Sequence, residues 1–488
     1  MRQTCIGAIG SNIPVRPTHF RARVGAVALG FALTSIQART AFAANELSLY
    51  GHFAKHETSY QPGPSSSLIR HVAPDSALPL VAAPALYSES FWTAFADQDL
   101  FTLRQAARSE AEARFAEAMT LLAGGNHESA ESAFVAVSQQ SKDLNAAVAA
   151  QVMLASTLRY QGKWKELRDL PLNSKLSADD RKITSDLESW GRAFANAGKE
   201  VVRFPSKPTV MSLKITPVGT PVIRVRVNGK EYDFWLDTGS SMTVISSRVA
   251  SDAGISPLSP DVLAVRTFAG SAPVRAATID RLELGPVVVM NSPAVIIDAS
   301  LMYLRASADG VPAGGLQVDG IIGWDAIRQL DVTMNYAGGW IVLKEPMPRS
   351  MTAAQQNLAW LGRPFVEVHS KSGGDLHFTL DTGAQTTFLN ATVLERVGVG
   401  TKRSDNRVFG IAKTDRQTSR VVPVLAVDVG GLSVRLQDVI VYGPVSSGLI
   451  NSDGILGSDM ARYGTIHIDA TNGVFKLGES PDSEDATE

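Results

Sequence analysis

Two short stretches of the chain carry the same potential chemistry. Phe234-Trp235-Leu236-Asp237-Thr238-Gly239-Ser240 and Phe378-Thr379-Leu380-Asp381-Thr382-Gly383-Ala384 each end an apolar run in a carboxylate, a hydroxyl and a glycine. Two carboxyl groups held about 3 Å apart cannot both ionise, so they share one proton. The ionised group can then take a proton from water while the protonated one polarises a carbonyl. The small residues make the arrangement possible, because Gly239 and Gly383 let their backbone N–H groups approach the carboxylate oxygens.

The surroundings of the two stretches are duplicated as well. Asp319-Gly320-Ile321-Ile322-Gly323-Trp324-Asp325 begins 82 residues after Asp237, and Asp453-Gly454-Ile455-Leu456-Gly457-Ser458-Asp459 begins 72 residues after Asp381. Each unit closes on a matching hairpin, with Gly339, Leu343 and Glu345 answered by Gly473, Leu477 and Glu479. One Asp-Thr-Gly arises by chance in roughly one such chain in ten, and alone it would read as a turn aspartate. Two copies on a repeat of roughly 140 residues point to one paired site. Gly323 and Gly457 are expected to let a crossing strand pack closely. Asp319, Asp325, Asp453 and Asp459 recur too and are read as turn-forming and helix-capping residues.

From about Val210 to Leu477 these motifs resemble the pepsin and retropepsin superfamily of aspartic proteases. The resemblance implies an all-β bilobal fold in which each lobe supplies one Asp-Thr-Gly strand end. An apolar-apolar-Gly strand, here ending at Gly323 and Gly457, crosses behind it in a psi-shaped loop. It further implies that Asp237 and Asp381 are the catalytic pair of a peptide hydrolase. Thr238 and Thr382 would bond across the pseudo-twofold, with Gly239, Ser240, Gly383 and Ala384 supporting the carboxylates. Both halves lie on one chain, so a monomer suffices for catalysis.

Family members cover the cleft with a hairpin after the Asp-Thr-Gly strand. Thr267-Phe268-Ala269-Gly270-Ser271 and Val408-Phe409-Gly410-Ile411 occupy that interval, which makes Phe268, Gly270, Phe409 and Gly410 flap candidates. Two flaps resemble a fused retropepsin dimer more than pepsin, which has one, and neither stretch has the flap tyrosine usual in pepsins. Ordinary surface hairpins would read the same way. The lobes also differ after the motif, where Ser240 is matched by Ala384. A serine hydroxyl donated to Asp237 would favour its charged form and leave the shared proton on Asp381.

Other chemistries have no foothold. There is no HExxH, P-loop, GxGxxG after a strand or Gly-x-Ser-x-Gly, so neither metal, organic cofactor nor serine nucleophile is expected. His52 and His56 are spaced i, i+4 but lack the glutamate of a zinc-protease helix. A net charge of −2 gives no reason to expect nucleic acid. The expected partner is a polypeptide substrate. The alternative reading is a catalytically silent peptide-binding or scaffold protein using the same cleft.

The elements that must position these residues follow from texture. No Asp or Glu precedes Glu46, and Arg2, Arg16, Arg21 and Arg23 precede a 13-residue apolar run from Val24 to Ile36 that ends near Ala41-Phe42-Ala43. This is the pattern of an export signal cleaved after Ala43, with an uncleaved membrane anchor and an organellar transit peptide as rivals. The one cysteine, Cys5, would leave with it, and a bacterial periplasm is the most economical setting. The expected organisation is a signal (1–43), a linker (44–96), an α-helical domain (97–199), lobe 1 (209–345), a connector (346–358), lobe 2 (359–480) and a disordered tail (481–488). Within the helical region, Leu121 to His127 and Leu158 to Trp164 echo one another, with Gly125 and Gly162 37 residues apart. That spacing resembles a tetratricopeptide helical hairpin, and such a domain could bind a partner or merely space and shield the rest.

Overall fold

The computed structural model describes residues 26–27, 31–32, 91–92, 95 and 100–479, except 172–177, 217–218, 268–269, 305–315, 349–355, 372, 411–412, 443–444 and 447–450. The expected cleavage point, the linker up to residue 90, most of the connector and the tail lie outside the described residues. Among those described, no helix is long and apolar enough to cross a membrane.

Helices come first: α1 (Leu100–Ala106), α2 (Glu110–Ala123), α3 (His127–Gln140), α4 (Leu144–Tyr160), α5 (Trp164–Arg168) and α6 (Ala178–Phe194). A capping box starts α2. The Glu112 N–H donates to Ser109 Oγ at 3.2 Å, and the Ser109 N–H donates to Glu112 Oε2 at 3.1 Å. Phe115, Met119 and Leu122, at helical spacing, are buried on its inner face. The sequence echo has a physical basis in two helix ends of one type. Gly125 and Gly162 both take positive φ, 78° and 66°. The following N–H groups of Asn126 and Lys163 donate back to Leu121 O and Leu158 O at 2.8 and 2.9 Å, a Schellman closure in each case.

The β region opens with a three-residue strand, Val201–Arg203, that pairs with Val288–Met290, and continues with β1 (Thr209–Ser212). Lobe 1 then runs β2 (Pro221–Val227), β3 (Lys230–Leu236), β4 (Val244–Ser246), β5 (Leu263–Thr267), β6 (Gly270–Leu284), β7 (Val287–Ile297), β8 (Gly320–Ile322), β9 (Asp331–Asn335) and β10 (Trp340–Lys344). Asn228 and Gly229, both at positive φ, make the tight turn from β2 to β3. Lobe 2 runs β11 (Leu358–Trp360), β12 (Pro364–Ser370), β13 (Asp375–Leu380), β14 (Phe388–Asn390), β15 (Lys402–Gly410), β16 (Lys413–Val429), β17 (Leu432–Tyr442), β18 (Gly454–Leu456), β19 (Gly464–Asp469) and β20 (Val474–Glu479).

The strand orders β5-β6-β7-β4-β8-β3-β2 and β15-β16-β17-β14-β18-β13-β12 are the same in both lobes. Extra pairings of β6 with β2 and of β16 with β12 curl each sheet towards a barrel. Two short strands, Ala26–Val27 and Phe31–Ala32, pair with β15 and β5 respectively. A separate five-stranded sheet, β20-β19-β9-β10-β1, joins the lobes through antiparallel β9 and β19, with Thr333 opposite His467.

Two buried clusters account for most of the core. One fills both lobes, from Ile223, Phe234 and Ile322 to Phe378, Leu389 and Leu456. The other runs from the helices, through Phe115, Phe134 and Phe194, to Val265, Val274 and Val295 of lobe 1 and Phe365 of lobe 2. The helical domain is therefore packed on the lobes rather than tethered beside them. At the junction Arg328 Nη2 donates to Tyr160 O at 2.7 Å, and its guanidinium lies 4.9 Å from the centre of the Trp360 ring. Tyr160 and His127 meet the same indole edge-on, at 5.3 and 4.6 Å between ring centres.

Candidate active site

The crossing strands place both aspartates. β8 lies parallel to β3 with Ile322 opposite Leu236, and β18 lies parallel to β13 with Leu456 opposite Leu380. The carbonyls of Ile322 and Leu456 accept the N–H groups of Asp237 and Asp381, at 3.1 and 3.0 Å. Gly323 and Gly457 are needed where the psi loop passes under the aspartate loop. A Cβ on Gly323 would stand 2.4 Å from the Met242 carbonyl, and one on Gly457 2.6 Å from that of Thr386. The next N–H groups, on Trp324 and Ser458, then reach Ser240 O and Ala384 O at 2.6 and 2.7 Å.

Thr238 and Thr382 lock the lobes together symmetrically. Thr238 Oγ1 donates to Leu380 O and Thr382 Oγ1 to Leu236 O, each at 2.7 Å. Each hydroxyl oxygen also accepts the other threonine's N–H, at 3.1 and 3.0 Å.

Within this frame the carboxylates are brought together out of contact with solvent, at 0% and 1% exposure for Asp237 and Asp381. Asp237 Oδ1 accepts from the N–H groups of Gly239 and Ser240 at 2.8 and 3.1 Å. Asp381 Oδ1 accepts from Ala384 N–H at 2.9 Å, and Gly383 N–H also bonds this carboxyl. The carboxyl of lobe 2 rests on the glycine of lobe 1, since a Cβ on Gly239 would meet its three atoms at 2.4–2.6 Å. Asp237 Oδ2 is buried without a hydrogen-bond donor and faces Asp381. That oxygen is satisfied only when one carboxyl of the pair carries a proton. Burial, and then the charge of Asp381, push Asp237 well above the usual carboxylate range. Burial also raises Asp381, to about 6, against the opposing pull of the Arg363 cation.

The sequence reading needs correction at Ser240. Its backbone N–H supports Asp237, but its hydroxyl donates to Met242 O at 2.8 Å. The loop turns the side chain back on itself, so Ser240 cannot supply the asymmetry expected of it. The recurring aspartates also do more than shape turns. Asp325 accepts from the Thr243 N–H and hydroxyl, both at 3.0 Å, and Asp459 from those of Thr387 at 2.9 and 2.7 Å. They brace the aspartate loops from behind. Thr243 and Thr387 each lie six residues after their aspartate, a recurrence legible in the repeat but not used. Asp319 pairs with Arg248, and Asp453 with Arg396 at 2.6 Å.

The flap candidates fall in matching hairpins, β5–β6 closing at Thr267 and Gly270 and β15–β16 at Gly410 and Lys413. Phe409 stands on β15 opposite Thr414, and Phe268 lies outside the described residues. Glu367, His369 and Asp375 form the one group of possible metal ligands among the described residues. It lies at the opposite end of the β12–β13 ladder from Asp381.

The aspartyl protease family profile matches residues 223–326 and again 366–460, one copy for each aspartate. The two β lobes of this chain are thus each similar to the aspartyl protease family over most of their length. A comparison with curated proteins finds no significant match. Among solved structures, the aspartic proteinase from Irpex lacteus is 14% identical, with a TM-score of 0.38 over 58% of this chain and 100% of that one. A retropepsin-like aspartic protease from Rickettsia conorii is 15% identical, with a TM-score of 0.20 over 30% of this chain and 94% of that one.

Proposed function

We propose that this protein is an aspartic endopeptidase whose Asp237 and Asp381 activate water between them against a peptide carbonyl. The observation that carries the reading is the buried pair of carboxyls, one from each lobe, with an oxygen left unsatisfied unless the pair holds one proton. In the reaction the ionised carboxylate takes a proton as water oxygen bonds to the carbonyl carbon, and the other carboxyl gives its proton to the carbonyl oxygen. Collapse of the tetrahedral diol breaks the C–N bond. The amine leaves with the proton held by the first carboxylate, and the diol returns a proton to the second. Burial serves this chemistry by keeping the pair singly protonated at mildly acid pH.

The N-terminal pattern supports export, to a periplasm in a bacterial setting, and substrates that are exported polypeptides. The helical domain, fixed by Tyr160, His127 and Trp360, would present any partner surface at a set distance from the cleft. Digestion of an unstructured peptide library by the purified chain tests the reading. Discrete internal cleavage that is strongest at mildly acid pH supports it, and an unaltered library at every pH contradicts it.

A further inference from the structure

The two lobes hold their aspartates alike but put different residues across from them. In lobe 1 the β2–β3 ladder ends with Val222 opposite Trp235, and its register continued by two steps would set Thr220 opposite Asp237. In lobe 2 the β12–β13 ladder ends with Phe365 opposite Thr379, and the same two steps would set Arg363 opposite Asp381, whose carboxyl feels its charge. Cross-strand partners project from the same face of a ladder, so the side chain at this position lies beside the carboxylate. Both sites are built alike locally, with a glycine at positive φ before the residue (Gly219, 81°; Gly362, 72°) and a proline after it. Thr220 is fully buried and Arg363 is 8% exposed, so the cation of lobe 2 acts from a largely water-excluded position.

Four hydroxyls around the pair are turned away from it, while Thr220 Oγ1 is buried without a hydrogen-bond partner. The four, on Thr238, Thr382, Ser240 and Ser458, donate to the carbonyls of Leu380, Leu236, Met242 and Thr382. The charged groups facing Asp381 are Asp237, from the other lobe, and Arg363, from the β11–β12 turn. The leading influences on Asp237 are burial, the Asp381 carboxyl and the N–H groups of Gly239 and Ser240.

We propose that Arg363 is a positioning residue for the aspartate pair: it keeps the shared proton on Asp237 and leaves Asp381 as the ionised, water-activating carboxylate. This reverses the assignment expected from Ser240, and it rests on the reading of the two aspartates as a catalytic pair. The influence of Arg363 on Asp381 is the largest one favouring its charged form.

The test is the pH dependence of kcat/KM for Arg363→Met and Arg363→Lys, with thermal unfolding measured alongside. Removing the cation raises the apparent pKa of the base, so the acid limb moves to higher pH, by about one unit for a close cation. Arg363→Lys returns the limb most of the way. A purely structural role would lower unfolding temperature and kcat/KM together across the pH range and leave the limb in place, and that result overturns the inference. Asp237→Asn and Asp381→Asn separate the two levels: if either still cleaves, the catalytic-pair reading itself fails. If no peptide is cleaved by the parent protein, 13Cγ NMR of the aspartates, with those two variants for assignment, gives the lower macroscopic step of the pair directly. That step rises in Arg363→Met if the inference holds and stays put if it does not.

Discussion

Lobe 1 and lobe 2 agree wherever the backbone makes the site and diverge where a side chain brings charge. The aspartate N–H bonds, the psi-loop glycines, the threonine lock and the Asp325/Asp459 braces recur with distances matching within about 0.3 Å. By contrast, Thr220 answers Arg363 across the ladder, and the part-buried Glu200 sits beside lobe 1, where it accepts from Gln329 Nε2 at 2.8 Å. A shared proton needs a symmetric frame to bring the carboxyls close. Directing that proton to one side needs the symmetry broken, and a duplicated sequence can do this by altering one position without disturbing the frame.

The comparison can be broken most severely at Gly239. Gly239→Ala would drive a methyl into the Asp381 carboxyl, so we expect at least about a hundredfold loss of kcat/KM through displacement of the reacting groups. Wild-type kinetics in that variant would show that the lobes do not close on each other as described. Thr238→Ala and Thr382→Ala each remove two interlobe hydrogen bonds and strand a buried N–H and carbonyl. Each should cost about 2–3 kcal/mol, and the two costs should agree. Denaturant unfolding that gives clearly unequal losses would mean the lock is one-sided.

The charge around lobe 1 predicts a pH dependence of stability. Burial, and next the charge of Asp325, raise Glu200 from 4.5 to about 7. The folded state thus holds this proton after the unfolded chain has lost it. The stabilisation is fully present below about pH 4.5 and is lost as pH rises through about 7. Thermal unfolding midpoints should fall across that window in the parent protein and fall less in Glu200→Gln. A parent midpoint that rises with pH there would contradict the burial of this group. The smallest effect is expected at Ser240. Ser240→Ala removes a bond to Met242 O worth about 1 kcal/mol and should leave the acid limb of activity where it is. A moved limb would return the proton-directing role to this hydroxyl.

Much of this site was legible in the sequence because its parts are local. Apolar-Asp-Thr-Gly specifies a strand end and a close approach within four residues, and the repeat reports that two such ends exist. Gly323 and Gly457 stood out for the same reason, as residues whose lack of a side chain has a stated use. What stayed hidden depends on contacts made at a distance. The rotamer of Ser240 is decided by a carbonyl two residues on, and nothing in the types Ser and Ala reveals which way the hydroxyl turns. Arg363 precedes its aspartate by 18 residues and approaches it only through the β12–β13 register, so nothing in the local sequence marked it. The helices were recognisable from texture and from the echo around Gly125 and Gly162, but their docking through Tyr160, Arg328 and Trp360 joins three regions far apart in sequence and left no periodic trace.

The central claim, that the lobes build one site rather than two, is tested most directly by comparing cleavage rates of Asp237→Asn, Asp381→Asn and the double variant with the parent. Residues that act as a unit lose nearly everything with the first removal. The account predicts that each single variant falls by at least about a thousandfold, with the double variant no lower than the singles. Single variants that each keep about half of the parent rate, with only the double variant silent, would mean two independent sites and would contradict it.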